Sequence, residues 1–410
     1  MGYDVSKVRA DFPLLAERIN GKPLVYLDSA NTSQKPHAVI DAMTSFMQHE
    51  YGPTNRSAYQ LAADATERFE NARSKVAGFG NARSAVEIVF TKNATEALNL
   101  IARSWGGANL GEGDSIVLTH MEHHANIVPW QMLAAERGFT IRWVPLTADG
   151  LLDLSGLDAL LDGAKAFSFT AMSNVLGTIN PVKQLVDAAH AHGAVAIVDG
   201  CQSVPHMPTD VQALGADLMA FSSHKMVGPT GIGAMWGREQ LLDEMPPFLG
   251  GGNMISDVRL EGFTCAELPA KFEAGTQAII EAVGFGAAVD YLTGIGMADI
   301  REHEKAITAY ALKALKDRFG DDIVIHGSMD PEVRGATISL AYRDVHPHDV
   351  SQVLDQHNVC VRAGHHCAKP LMRLLGANAT VRASFYLYNT TDEADALCDA
   401  LAEAGDFFSL

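Results

Sequence analysis

The sequence predicts an α/β protein with a mostly parallel central sheet flanked by helices and a smaller α+β domain toward the C-terminus. Two observations carry this. Between residues 86 and 222, short apolar runs alternate with segments of helical periodicity, the pattern of a parallel sheet with crossover helices. After the breaker Gly294-Ile-Gly296 the alternation stops, and a long helical stretch precedes mixed strands and helices. The 410 residues, 47% hydrophobic and 20% charged, are ample for more than one core. A large domain is expected over 20–293, and a small one over 1–19 plus 294–410.

In chain order, residues 23–28 read as a first strand, followed by a polar loop to Pro36. Ala38–Met47 and Leu61–Ala77 have helical spacing. Strand Val86–Phe90 leads into a helix that opens at Asn93 or Thr95. Strands follow at 115–119, 140–144, 166–170, 194–198 and 218–222, with helices at 127–137, 155–161 and 182–192 between them. Helices at 279–293 and 297–319 open the C-terminal part, and Thr380–Phe385 is strand-like.

The formal net charge of -18 argues against nucleic acid or anionic lipid as partner, since both select basic patches. No apolar stretch approaches the roughly 20 residues needed to cross a bilayer. The five cysteines are widely spread, with no Cys-x-x-Cys pair, so reduced thiols and a cytoplasmic setting are expected.

Asp199 ends the apolar run Ala194–Val198, and Lys225 lies on a Gly/Pro-rich turn after Ser222, Ser223 and His224. Ligands of open α/β sheets collect at the carboxyl ends of strands. An acid there, and a lysine nearby, suit pyridoxal phosphate, which needs a carboxylate on its ring nitrogen and an amine for its aldehyde. The helix start at Ala94 and Thr95 offers backbone N–H groups and a hydroxyl to a phosphate, and Ser222 and His224 can complete the cup. His123 and His124 follow a strand end. Their spacing matches no zinc pattern, so a ring stacked on a cofactor, or an acid/base, is expected and no metal. Cys367 lies in a loop beside Arg362, His365, His366 and Lys369, a basic setting that favours thiolate. Arg382 suits a carboxylate ligand or a solvated surface ion pair, and the residues alone do not choose between them.

Together, Asp199-Gly-Cys-Gln202, Ser222-Ser-His-Lys225 and the run from Arg362 through Gly364-His-His-Cys-Ala368 resemble the fold-type-I pyridoxal-phosphate enzymes of the class V aminotransferase group. Within it they resemble SufS-type cysteine desulfurases, along nearly the whole chain. The resemblance implies that Lys225 binds the cofactor and shuttles the Cα proton. It implies that Asp199 holds the ring nitrogen, Gln202 the ring hydroxyl, and that His123 stacks. Thr95, Ala94, Ser222 and His224 are implied at the phosphate, with Thr276 arriving from the second subunit of a homodimer. Asn174 and Ala30 are implied near the substrate, with Arg362, and Arg382 on its carboxylate. Cys367 then takes sulfur from L-cysteine as a persulfide. The implied partner is a sulfur acceptor of SufU or SufE type serving iron–sulfur cluster assembly, and His348, in Val345-His-Pro-His-Asp349, is implied as a contact for a zinc-bearing SufU-like acceptor.

Two positions depart from the family: Asn55-Arg-Ser-Ala-Tyr59 replaces a His-Arg-Gly-x-His run, and Gln277 stands where proline is usual. The resemblance implies that both bear on the subunit-interface side of the pocket. The same cofactor chemistry serves selenocysteine lyases and cysteine sulfinate desulfinases, and a non-catalytic scaffold is the reading from another class.

Overall fold

The computed structural model describes residues 3–54 and 57–408; Asn55 and Arg56 of the departing segment lie outside the described residues. Its larger sheet has seven strands: β1 (Ile88–Thr91), β2 (Ser115–Thr119), β3 (Thr140–Val144), β4 (Ala166–Thr170), β5 (Val195–Asp199), β6 (Leu218–Ser222) and β7 (Gly233–Gly237). They are ordered β1-β7-β6-β5-β4-β2-β3. Strands β2 to β6 run parallel, and β7 lies antiparallel between β6 and β1. The fold is thus the mixed α/β arrangement that the alternation predicts, with its sheet mainly parallel.

Both faces of the sheet are covered. Along β2, Val117 joins one apolar cluster, whereas Ile116 and Leu118 join the cluster on the other side. Side chains alternate across a strand, so a sheet buried on both faces reads as a continuous apolar run. The register pairs Thr170 with Asp199 and Asp199 with Ala220, so the carboxyl ends of β4, β5 and β6 finish side by side. That row is the floor of the site.

A second sheet comprises β8 (Ile323–His326), β9 (Thr337–Tyr342), β10 (Arg362–Gly364) and β11 (Thr380–Ser384), antiparallel in the order β8-β9-β11-β10. Helices Met297–Phe319, Pro347–Gln356 and Thr391–Phe408 pack on it through Leu312, Leu315, Val353, Leu354, Leu397 and Leu401. The first strand expected from the sequence shortens to Val25–Tyr26. It pairs in parallel with Val359–Cys360, so Val25 and Leu27 are buried in this second core. Phe12, Leu15 and Leu24 pack into the first.

Several elements escape the sequence reading. Strand β7 is one, and the hairpin Ile255–Arg259/Gly262–Cys265, which carries exposed Val258, Leu260 and Phe263, is another. Among the described residues no single helix is long and apolar enough to cross a membrane.

Candidate active site

The floor and the second sheet meet at a cavity of about 220 Å³. From β5 come Asp199 and Gln202, both 3% exposed. The Asp199 carboxylate accepts the Cys201 N–H at 2.9 Å. Gln202 Nε2 donates to Ala30 O at 2.8 Å, which leaves Gln202 Oε1 buried with no partner. A buried acceptor without a donor costs about 1–3 kcal/mol, so this oxygen is suited to a ligand hydroxyl.

After β6 the chain turns through Ser223–Lys225 and brings Lys225 into the same cavity. After β1 a helix begins at Ala94. Its N-cap is Asn93, whose Oδ1 accepts the Glu96 N–H at 2.9 Å. Ser222 Oγ accepts the Ala94 N–H at 2.8 Å and ties the helix start to β6. Gly233 of β7 permits this crowding, because a Cβ there would sit 2.8 Å from Asn93 Cα. Ala94, Thr95 and His224 therefore line the cavity, and Asp199 lines it too. The donor set fits a phosphate there and a cationic ring nitrogen at the acid.

His123 lines the same space, and its Nδ1 accepts the Ala125 N–H at 3.0 Å. Burial, helped by the Lys225 ammonium, pushes its pKa down to about 4, so the imidazole is neutral near pH 7. His224, bonded to Thr32 Oγ1 at 3.1 Å, is also pushed down to about 4, by burial and then by Lys225 and Lys35. Beneath His123, the buried Glu122 accepts from Thr119 Oγ1 (2.5 Å), Asn126 Nδ2 (2.7 Å) and the Thr170 N–H (3.0 Å), which fixes the turn.

The second sheet supplies the opposite wall. Arg382 is buried, with Nη2 on Asp28 Oδ1 at 3.1 Å, Nη1 on Asn174 O at 3.0 Å and Nε unpartnered. Arg362 Nη2 lies 3.4 Å from Cys367 Sγ. Cys367 and His366 both have left-handed backbones, φ 58° and 52°, a costly conformation for residues with a Cβ. Three bonds tie this loop to the large-sheet side. His124 N–H donates to Cys367 O (2.7 Å), Asn174 Nδ2 to His366 O (2.7 Å), and Lys369 N–H to His124 Nε2 (2.9 Å).

The residues singled out in the sequence thus largely converge on one cavity: Lys225, Asp199, Gln202, His123, Thr95 and Ala94 with Ser222, His224, Asn174, Ala30, Arg362, Arg382 and Cys367. Two do not. Thr276 lines a separate cavity of about 230 Å³ with Phe90, Phe248 and Gln277. His348 is exposed in the first turn of Pro347–Gln356, away from the cavity; the cap of that helix is His346, whose Nδ1 accepts the His348 N–H. Sequence reasoning missed Glu122, Cys201, the tether role of His124, and Lys35. Lys35 donates to Ser33 O and His224 O, and burial pushes its pKa down to about 7. Among the described residues no three His, Cys, Asp or Glu side chains are grouped to hold a metal ion.

Comparison with known proteins agrees with this geometry. The family profile for aminotransferase class-V matches residues 25–397. A probable cysteine desulfurase of Streptomyces coelicolor is 50% identical, over 99% of this chain and 98% of its own. The apo cysteine desulfurase of Thermococcus onnurineus superposes with a TM-score of 0.93 at 37% identity, covering 98% of each chain. The cysteine desulfurase CsdA of Escherichia coli, in its S-sulfonic acid form, gives 0.90 at 36% identity, covering 99% of this chain and 100% of its own. The chain therefore belongs to the aminotransferase class-V family, and it is a cysteine desulfurase that works with pyridoxal phosphate.

Proposed function

We propose that the enzyme transfers sulfur from L-cysteine to Cys367, leaving L-alanine and a Cys367 persulfide. The observation that carries this is the presence of Cys367, Lys225 and Asp199 around one cavity, with a guanidinium 3.4 Å from the thiol sulfur. Bound pyridoxal phosphate supplies an electron-withdrawing ring that weakens the bonds at the substrate Cα. Asp199 holds the ring nitrogen, Gln202 Oε1 receives the ring hydroxyl, and Ala94, Thr95, Ser222 and His224 hold the phosphate. His123, neutral at working pH, covers the ring face without adding charge.

Lys225 Nζ moves the proton at Cα. Arg382 orients the substrate carboxylate through the donors that Asp28 and Asn174 leave free, with Ala30 and Asn174 closing the pocket. Cys367 Sγ attacks the substrate sulfur, whose bond to Cβ breaks; the thiol proton and the Cβ electron pair end in alanine, so atoms and electrons balance. Arg362 Nη2, 3.4 Å from the sulfur, orients Cys367 Sγ toward the substrate.

The product persulfide is read as cargo for an acceptor protein of SufU or SufE type in iron–sulfur cluster assembly, which makes the enzyme SufS-like. Exposed His348 is the proposed contact for a SufU-like acceptor. A homodimer is the proposed working form, with Thr276 of each chain serving the partner's phosphate. In support, Thr276 lines a cavity other than the Lys225 cavity of its own chain.

Mass spectrometry after mixing with L-cysteine tests the reading: one added sulfur atom is expected on Cys367. Full alanine release by a Cys367→Ala variant would overturn it in favour of selenocysteine or sulfinate chemistry.

A further inference from the structure

One carbonyl at the site is offered more donors than it can use. The loop 32–35, just ahead of the helix His37–His49, folds over His224 O. That oxygen lies 2.9 Å from Lys35 Nζ, 3.0 Å from Ser33 Oγ, and 3.1 Å from both Ser33 N and Thr32 Oγ1. Ser33 Oγ also accepts the Val227 N–H at 2.9 Å, which pins the turn on the far side of Lys225. A carbonyl oxygen has two lone pairs, and Ser33 and Lys35 alone bring three donors to them. Lys35 keeps its place in either charge state, because ammonium and amine both have N–H bonds enough for His224 O and Ser33 O. The Thr32 hydroxyl is thus surplus at the carbonyl. Its other neighbour is His224 Nδ1, also at 3.1 Å. His224, pushed down to about 4 chiefly by burial, is neutral near pH 7 and carries a single ring proton. With Nδ1 facing Thr32, Nε2 is the nitrogen left for a ligand in the cavity that His224 lines.

We propose that Thr32 is a positioning residue: its hydroxyl donates to His224 Nδ1 and so keeps the imidazole proton on Nε2, where it donates to the phosphate of bound pyridoxal phosphate. The proposal rests on the reading of His224 as a phosphate ligand. Phosphate oxygens accept hydrogen bonds, and the opposite tautomer would turn a bare lone pair toward them. The bond made at one ring nitrogen decides which of the two is protonated. Ser33 and Lys35 act one step further back, by filling the carbonyl that would otherwise compete for the Thr32 proton.

The test strips the full-length enzyme of cofactor and titrates it with pyridoxal phosphate and with pyridoxal, which lacks the phosphate. The preference for the first over the second isolates the phosphate contact. Thr32→Val is expected to lower that preference roughly fivefold, the worth of about one hydrogen bond, and Thr32→Ser to keep it. In a His224→Gln background, where an amide N–H donates without any choice of tautomer, Thr32→Val is expected to change nothing. Nitrogen-15 spectra of histidine-labelled, cofactor-loaded wild type are expected to show the His224 proton on Nε2. A proton on Nδ1, or an unchanged preference in Thr32→Val, would overturn the proposal. A residue that merely holds the loop weakens both ligands alike in Thr32→Val, which leaves the preference unchanged and counts against it equally. His224→Leu separates the two levels of argument. If it leaves the preference at the wild-type value, the reading of His224 fails. If it lowers the preference while Thr32→Val does not, only the role of Thr32 fails.

Discussion

The two walls of the cavity are built on opposite plans. The floor is a row of strand ends in which Asp199, Ser222 and the helix start at Ala94 are held by main-chain geometry and short bonds. The facing arm, His365–Lys369, has two successive left-handed residues and is held at a distance by three tethers. A ring that must stay put needs the first plan. Under the proposed function, a sulfur that reaches into the pocket from the facing wall needs the second. Position is inherited from the sheet on one side and imposed from across the cleft on the other.

That contrast breaks most sharply at Lys225. Lys225→Ala is expected to lower alanine release on the order of 10⁴-fold and to abolish borohydride-dependent fixation of the cofactor. The arm remains in place, so alkylation of Cys367 proceeds at its wild-type rate. Cutting the two tethers made by side chains gives a smaller effect of the opposite kind. His124→Ala combined with Asn174→Ala is expected to lower kcat roughly 10²-fold, the cost of misplacing a reacting atom by about 1 Å, while the cofactor absorption of the unreacted enzyme stays unchanged. A tethered arm with a changed spectrum would show that floor and arm are not separable.

The smallest effect is on stability. His123, His224 and His366 are pushed down to about 4, about 4 and about 3, in each case chiefly by burial. Between those values and the ordinary histidine pKa of about 6.5 the unfolded chain binds protons that the folded chain refuses. Stability therefore rises with pH through that window and is lost as the pH falls. Thermal unfolding from pH 7 to pH 4 should show a falling midpoint, and substituting glutamine for His366, which belongs to the arm, should flatten the slope. An unchanged slope would mean that His366 is not the buried neutral base its partner Thr380 Oγ1, at 2.8 Å, implies.

The floor was more legible in sequence than the arm's supports. An apolar run ending in an acid, and a lysine among glycines, carry their meaning locally, because strand ends and ligand chemistry coincide. Asn93 and Thr95 were both candidates for the helix start, and the Asn93 bond to Glu96 N–H decides between them. Strand β7 was not legible: Gly233-Ala-Met-Trp-Gly237 is flanked by glycines and looks like a turn until β6 and β1 supply partners on both sides. Lys35 reads as a surface lysine, since its burial arises from the loop folding over the carbonyl of His224, 189 residues away. His124 looked like half of a histidine pair; its meaning comes from a loop more than two hundred residues later. Burial and long-range tethering are properties of the fold, and a single sequence records them only indirectly.

The tethers also bear on what drift in the sequence can do. The bond from His124 N–H to Cys367 O joins main chain to main chain, so no exchange of side chains short of proline at 124 deletes it. Losing either His124 or Asn174 leaves that bond in place, and detaching the nucleophile takes several coincident changes. The arm can thus vary in its outward side chains while the reach of the thiol stays the same.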